Sequence, residues 1–343
     1  MLDLGYLDKN YLSKYDLDVR LFDKYNYKVY DIIPVRKAYM LITESGNKIL
    51  KKIDYTLEEF RFIVNALDYV KRSFTRIIEF EKNVDGEIYT KWNGEFYCVM
   101  NMVEGKECEF SNPVELAIAA RGIGELHKAS EGFRDKTSSK YVCGDLITDL
   151  NRKKQEMMFF KNMANLYENK NKFDDVFLKN VDIYIKKIEN SISLLNKNLY
   201  YKLCSSEDKI ALCHHDLAHH NIIIKEDNAY FVDFDFAVID LKIHDICNFI
   251  NKVIKNFSFD MDKVRIIIEN YCLSNTLTNN ELNILFSMLT FPEDFYEISK
   301  DYYTRRKEWD ENVFISKLDR KIKLEDDRVE FLDEFSKYVK AYK

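Results

Sequence analysis

The chain has 343 residues and is 46% hydrophobic, enough for a sizeable core, and its length points to two lobes rather than to disorder. Charged residues make up 32% but nearly cancel, leaving a net charge of −6, so no global basic field exists to draw in nucleic acid or an anionic membrane. Seven cysteines without C-x-x-C spacing argue against a disulfide framework, MLDLGYLDKN lacks a signal-peptide pattern, and no apolar window reaches the roughly 18 residues of a membrane span; synthesis as a soluble cytoplasmic chain is expected.

From Val29 to Val103 the pattern favours strands. VYDIIPV, AYMLITE, NKILKKI, RIIEF, EIYTKW and EFYCVMNMV read as an antiparallel sheet with turns at Ser45-Gly46-Asn47 and Asp85-Gly86. One helix interrupts them, with Thr56 as N-cap and Phe60, Ile63, Val64, Leu67 and Val70 at helical spacing. Beyond Val103 helix-length segments dominate, starting with NPVELAIAARGIGELHKA and continuing through two long lysine-rich amphipathic runs to about Asn198. The expected division is a β-rich lobe over residues 1–103 and a helical lobe over 104–343. Within the helical part, NIIIK and AYFVDF flank Glu226-Asp227-Asn228 and read as a small hairpin.

HHDLAHHN enters that hairpin and VDFDF leaves it. His214, Asp216 and Asn221 match H-x-D-x-x-x-x-N, and Asp233 follows after one short hairpin. Phosphoryl transfer needs an oriented nucleophile and cations on the phosphate oxygens more than covalent help. Asp216 suits a base for an attacking hydroxyl, while Asn221 and Asp233 offer oxygen ligands to Mg²⁺. The hairpin brings those two ligands to the same end. Asp235, two residues on, shares the Asp233 face if the segment is a strand and could join the metal or orient substrate. A zinc site from His214, His215, His219 and His220 is disfavoured, because H-x-x-x-H lacks a third ligand at usual spacing. His214 is expected to brace the loop, and the other three to line the mouth of the site.

These strings resemble the aminoglycoside phosphotransferase and choline kinase superfamily, where H-G-D-x-x-x-x-N precedes I-D-[FW]-[DE] and then D-[LI]-A; here the last two are Val232-Asp233-Phe234-Asp235 and Asp245-Ile246-Cys247. Within it the chain is most similar to the CotS family of bacterial spore-coat proteins, through C-H-x-D, D-F-D, FPEDFYEISKDYY and EWDENVFISKL, over roughly residues 25 to 335. The resemblance implies an α+β, bilobal protein-kinase-like fold with a small antiparallel N-lobe and a larger helical C-lobe. It implies ATP and Mg²⁺ as cofactors. By position it implies Lys51 as the phosphate-binding strand lysine with Lys52 on the opposite face, Glu59 or Glu58 as its helix partner, and Asn101, Met102 and Val103 as the adenine-binding hinge. Asp245 would tie a helix start to the catalytic loop.

Two positions depart from the superfamily pattern. The turn in PVRKAYML that would cover the phosphates has no glycine, which hinders close backbone approach, with Arg36 or Lys37 as substitute charge; and His215 replaces the usual glycine. The implied roles are phosphorylation of a hydroxyl on a small-molecule acceptor that the sequence does not name, or a structural coat scaffold contacting other spore-coat proteins, to which the 23 tyrosines would contribute cross-linking material. Aminoglycoside phosphorylation ranks below both, because the acidic run Glu325-Asp326-Asp327 reads as a solvated helix face. Assembly into the spore coat would follow cytoplasmic synthesis.

Overall fold

A computed structural model describes residue 12, residues 17–255 and residues 259–342; the MLDLGYLDKN terminus lies outside the described residues. The chain divides into two compact units, one of Met1–Cys108, Phe133–Lys140 and His219–Ala237, the other of Glu109–Gly132, Tyr141–Ala218 and Val238–Lys343.

The first unit is built on an antiparallel sheet of β1 (Val29–Val35), β2 (Ala38–Thr43), β3 (Gly46–Lys52), β4 (Thr90–Trp92) and β5 (Glu95–Asn101), in the order β1-β2-β3-β5-β4. Alternation along the strands puts Ile32 opposite Leu41 and Leu50 opposite Val99, all fully buried, in a core that also takes in Leu21, Phe22 and Tyr25. Helix α1 (Leu57–Val70) begins at a capping box in which Thr56 and Glu59 satisfy each other's exposed backbone N–H groups. Most of its apolar residues are buried, Phe60 edge-on against Phe80 at 5.1 Å and Phe62 against Phe133 at 5.7 Å.

Two expected strands change character. RIIEF makes only isolated bridges, Ile77 with Phe231 and Phe80 with Met100, and EIYTKW shortens to β4. The β2–β3 turn closes at Glu44-Ser45, since Thr43 pairs with Gly46.

A second sheet of this unit orders β6 (Lys106–Glu107), β8 (Ile222–Lys225) and β9 (Asn228–Phe231); β7 (Ile210–Cys213) belongs to the other unit. The β8–β9 hairpin, helical-half by sequence order, sits with the β-rich unit because β6 pairs with β8, Lys106 opposite Ile224. Gly105 permits that approach: a Cβ there would meet Ile223 Cγ2 at 2.6 Å and the Ile224 carbonyl oxygen at 2.7 Å.

The second unit is mostly helical. Helices α2 (Pro113–Ser130), α3 (Leu146–Leu166) and α4 (Lys172–Lys197) precede β7; β10 (Val238–Leu241) pairs antiparallel with β7 and runs directly into α5 (Lys242–Ile254), followed by α6 (Met261–Tyr271), α7 (Asn279–Leu289), α8 (Glu293–Tyr303), α9 (Glu311–Lys323) and α10 (Glu325–Ala341). Side chains at N-caps Asn112, Asn171, Asp260, Thr278 and Asp310 accept from first-turn N–H groups, which explains where these helices start.

Helices α2 and α6 pack closely at Gly124, where a Cβ would lie 2.8 Å from the Tyr271 carbonyl oxygen. One turn later on α2, His127 reaches the Tyr271 hydroxyl at 3.0 Å. Gly124→Ala gains helix propensity of about 1 kcal/mol, yet must push α6 away; a net loss on the order of 1–3 kcal/mol is expected in urea unfolding. A stabilised variant would contradict this account of the crossing.

Candidate active site

In the first unit, hairpin register places Ile222 opposite Phe231, and the Val232 N–H donates to the Asn221 carbonyl at 3.0 Å, so Asn221 and Asp233 end up at the same end of the hairpin. Asp233 takes the left-handed conformation, φ 65°, which Asp tolerates better than most residues, and Phe234–Phe236 then form a 3₁₀ turn. The segment is therefore not the strand expected of it. The turn, not strand alternation, brings both carboxylates to Lys51: its Nζ lies 2.5 Å from Asp233 Oδ1 and 2.6 Å from Asp235 Oδ2. Burial pulls the Lys51 pKa down, but the two carboxylates outweigh it and raise it overall. Asp235 also accepts from the Tyr55 hydroxyl at 3.0 Å, and its carbonyl accepts from Lys140 Nζ at 3.3 Å. Burial and these carboxylates push the Tyr55 pKa up.

Lys52 points the other way, to Glu95 at 3.1 Å, as strand alternation requires. The pairing of Lys51 with Glu59 is corrected. The Glu59 carboxylate accepts from the Thr56 N–H and hydroxyl in the capping box, while Lys51 is taken up by Asp233 and Asp235. Asn101 ends β5, its side-chain oxygen accepting from Lys48 Nζ at 2.5 Å; the Met102 N–H donates to the Asn47 carbonyl at 3.2 Å, and Val103 follows outside regular structure. The glycine-free turn is a two-residue connection, with Val35 opposite Ala38 and Arg36 at φ 54°. Arg36 is paired with Glu107 at 2.6 Å, so its charge is already compensated.

In the second unit one carboxylate takes both backbone amides at the start of the loop after β7. Asp245, in the first turn of α5 and fully buried, accepts the His214 N–H on Oδ2 at 2.6 Å and the His215 N–H on Oδ1 at 2.8 Å. His127, also fully buried, meets Asp245 Oδ2 through Nε2 at 3.1 Å while its Nδ1 faces the Tyr271 hydroxyl. The His214 Nδ1 accepts the Asp216 N–H at 3.3 Å, so the His214 ring braces the loop. Asp216 Oδ1 lies 2.9 Å from Lys252 Nζ on α5. His215, where related motifs carry glycine, adopts φ 60°, a conformation costing about 1–2 kcal/mol, and its ring is held at Asp240 Oδ2, 3.1 Å away. His219 and His220 belong to the other unit, His219 half-exposed beside Glu107 at 3.6 Å.

With this geometry in view, the chain can be set beside known proteins. Residues 14–335 match the family described as "Spore coat putative kinase YutH". The chain belongs to this family. It is 23% identical over 316 residues to spore coat protein S of Bacillus subtilis (strain 168), covering 90% of each chain. Among solved structures it is similar to an aminoglycoside phosphotransferase from Alicyclobacillus acidocaldarius (TM-score 0.83, 16% identity, 94% of this chain and 96% of that one). It is also similar to the AMP-bound spectinomycin phosphotransferase APH(9)-Ia (TM-score 0.67, 16% identity, 88% and 92%). The fold of this spore-coat family member is thus kinase-like, α+β.

A cleft of about 690 Å³ lies within the second unit, its lining including His215, Asp240, His244 and Lys252 together with acidic and basic residues of α3, α8, α9 and α10. Most of its carboxylates are compensated: Asp149 and Glu293 by Lys153, Asp294 by Lys255 and Lys321, Glu325 by Arg328. Among the described residues no helix is long and apolar enough to cross a membrane. Sequence reasoning missed Lys252, Tyr55, Lys140 and Asp240. Lys252 alone left a trace, seven residues and two helical turns after Asp245, on the same helix face. Tyr55 and Lys140 meet Asp235 across 180 and 95 residues of chain, and Asp240 meets His215 across 25.

Burial raises the Asp245 pKa, but hydrogen bonding to His127 and the nearby imidazoles more than reverse this and hold it at about 2, below the ordinary 3.8. Its ionised form therefore contributes stability that is fully present above about pH 4 and lost as pH falls toward 2, about 2 kcal/mol in all. Asp245→Ala, which strands the loop amides and His127, is expected to cost on the order of 3–5 kcal/mol near neutral pH in chemical denaturation. Asp245→Asn should flatten the acid limb of the stability profile, and an unchanged limb would remove Asp245 as its origin.

Proposed function

We propose that this spore-coat family member is a phosphotransferase that moves the terminal phosphoryl group of ATP to a hydroxyl of a small-molecule acceptor. The observation that carries this reading is the convergence of Asp233 and Asp235 on the Lys51 ammonium, an array of charge suited to phosphate and a divalent cation. Asn221, Asp233 and Asp235 provide an oxygen-only donor set, which fits Mg²⁺, and the position of Lys51 Nζ between the carboxylates is one where positive charge is already favoured. Bound there, Mg²⁺ supplies neutralisation of the phosphate oxygens. Lys51 would turn from its carboxylates toward the nucleotide phosphates. With the Met102 N–H engaged by Asn47, adenine recognition falls to the remaining backbone groups of Met102 and Val103.

Asp216 would take the proton of the acceptor hydroxyl as that oxygen bonds to the terminal phosphorus and the bond to the ADP oxygen breaks. His214 is a positioning residue, setting the backbone on which Asp216 rides. Lys252, which lines the cleft, is ion-paired to Asp216 and would keep that carboxylate oriented. Because the cleft carboxylates are largely compensated, an acceptor of low net charge suits it better than a polycation, which argues against an aminoglycoside. In the coat, other spore-coat proteins are the partners of this reading.

Three measurements test it. Mg²⁺ with ATP at about 100 times its Kd should add on the order of 2.7 kcal/mol, a melting shift of several degrees, which needs the metal and shrinks in Asp233→Asn. No shift up to millimolar nucleotide would leave the coat-scaffold role instead. Asp216→Asn should keep nucleotide binding yet lower transfer by about 10²–10⁴-fold in single turnover. Lys51→Ala should weaken ATP binding more than Lys52→Ala, and equal effects would contradict the strand facing on which the assignment depends.

A further inference from the structure

We propose that His215, Asp240 and His244 form a site for one first-row transition ion of the Zn²⁺ type on the wall of the cleft in the second unit. The three come from different places in that unit: His215 from the loop after β7, Asp240 from β10, His244 from the first turn of α5. Their ligand atoms all lie within 4.8 Å of one another. Asp240 Oδ2 is 3.1 Å from His215 Nε2 and 2.5 Å from His244 Nδ1, and the two rings are 4.7 Å apart at an interplanar angle of 57°. Ligands around a tetrahedral Zn²⁺ at 2.0–2.1 Å stand roughly 3.4 Å from each other, so small side-chain rotations convert the hydrogen-bonded cluster into a coordination sphere.

The chemistry of the donors selects the ion. Two imidazoles and one carboxylate suit zinc and its neighbours, whereas Mg²⁺ prefers the all-oxygen set of the first unit. The site is supported from behind, since Asp240 Oδ1 accepts the Leu241 N–H at 2.7 Å and the His215 N–H is held by Asp245. All three residues line the cleft, so a coordination position remains open toward it. Neither competing histidine set has these properties. In the buried group His127, Cys213 and Asp245, both Asp245 oxygens are already spent on loop amides and His127. Within HHDLAHH, the His214 Nδ1 accepts the Asp216 amide, and His219 and His220 lie in the other unit. An ion at the new site would pin residue 215, and through it the loop carrying Asp216, to the β10–α5 corner. The inference does not depend on phosphotransfer.

The test uses the full chain stripped of metal with EDTA and titrated with Zn²⁺ by calorimetry and with Co²⁺ by visible absorption, in millimolar Mg²⁺ to occupy oxygen sites. One ion per chain, with the d–d bands of nitrogen-coordinated Co²⁺, is expected. His244→Gln, whose amide can still donate to Asp240, should melt like the wild type without metal and bind Zn²⁺ at least about tenfold more weakly. Asp240→Asn should weaken binding as well, while Asp233→Asn should bind as the wild type does. Absence of binding by the wild type at micromolar metal, or an affinity that His244→Gln and Asp240→Asn leave unchanged, would overturn the site and leave a hydrogen-bonded cluster.

Discussion

The backbone of the loop that carries Asp216 is anchored by a buried carboxylate, that of Asp245. Two consecutive backbone amides, those of His214 and His215, donate to its two oxygens, and His127 approaches from α2. A buried charge survives only when its lone pairs are satisfied. Here that demand fixes three elements together: the end of β7, the start of α5 and the last turn of α2. The close α2–α6 crossing at Gly124 belongs to the same arrangement, because it brings Tyr271 to the other nitrogen of His127.

The first unit meets a different constraint. Lys51 is largely buried, and the two carboxylates of the turn after β9 more than offset the effect of that burial on its charge. To present them, the backbone accepts a left-handed Asp233 and a 3₁₀ turn in place of a continuing strand. Two residues of the motif, His215 and Asp233, have positive φ without being glycine. Both are held by charge. His215 has Asp240 and Asp245, and Asp233 has Lys51.

The charge already present also limits what ligands can find. Arg36 in the glycine-free turn is paired with Glu107, and the Met102 N–H is engaged by Asn47. The cleft of the second unit presents carboxylates that are mostly ion-paired. A ligand must displace an existing partner to use these groups.

Local pattern by itself determined the strands β1, β2, β3 and β5, the capped helix α1, the long helices α2, α3 and α4, the β8–β9 hairpin and the inward facing of Lys51 against the outward facing of Lys52. Each of these is a short-range property: side-chain alternation, helical periodicity, capping and turn chemistry act over a few residues and are legible in one sequence. Only the tertiary structure decided that Lys51 pairs with Asp233 and Asp235 while Glu59 caps its own helix, that Lys252 meets Asp216, and that His215 and His244 converge on Asp240. Those partners come from separate elements, and which of several nearby carboxylates a cation meets depends on the backbone course between them. Asp233 shows the limit most directly: strand alternation sent it and Asp235 to one face, and they do meet one lysine, but a left-handed residue and a 3₁₀ turn bring them there, because burying Lys51 requires compensating charge that no local pattern records.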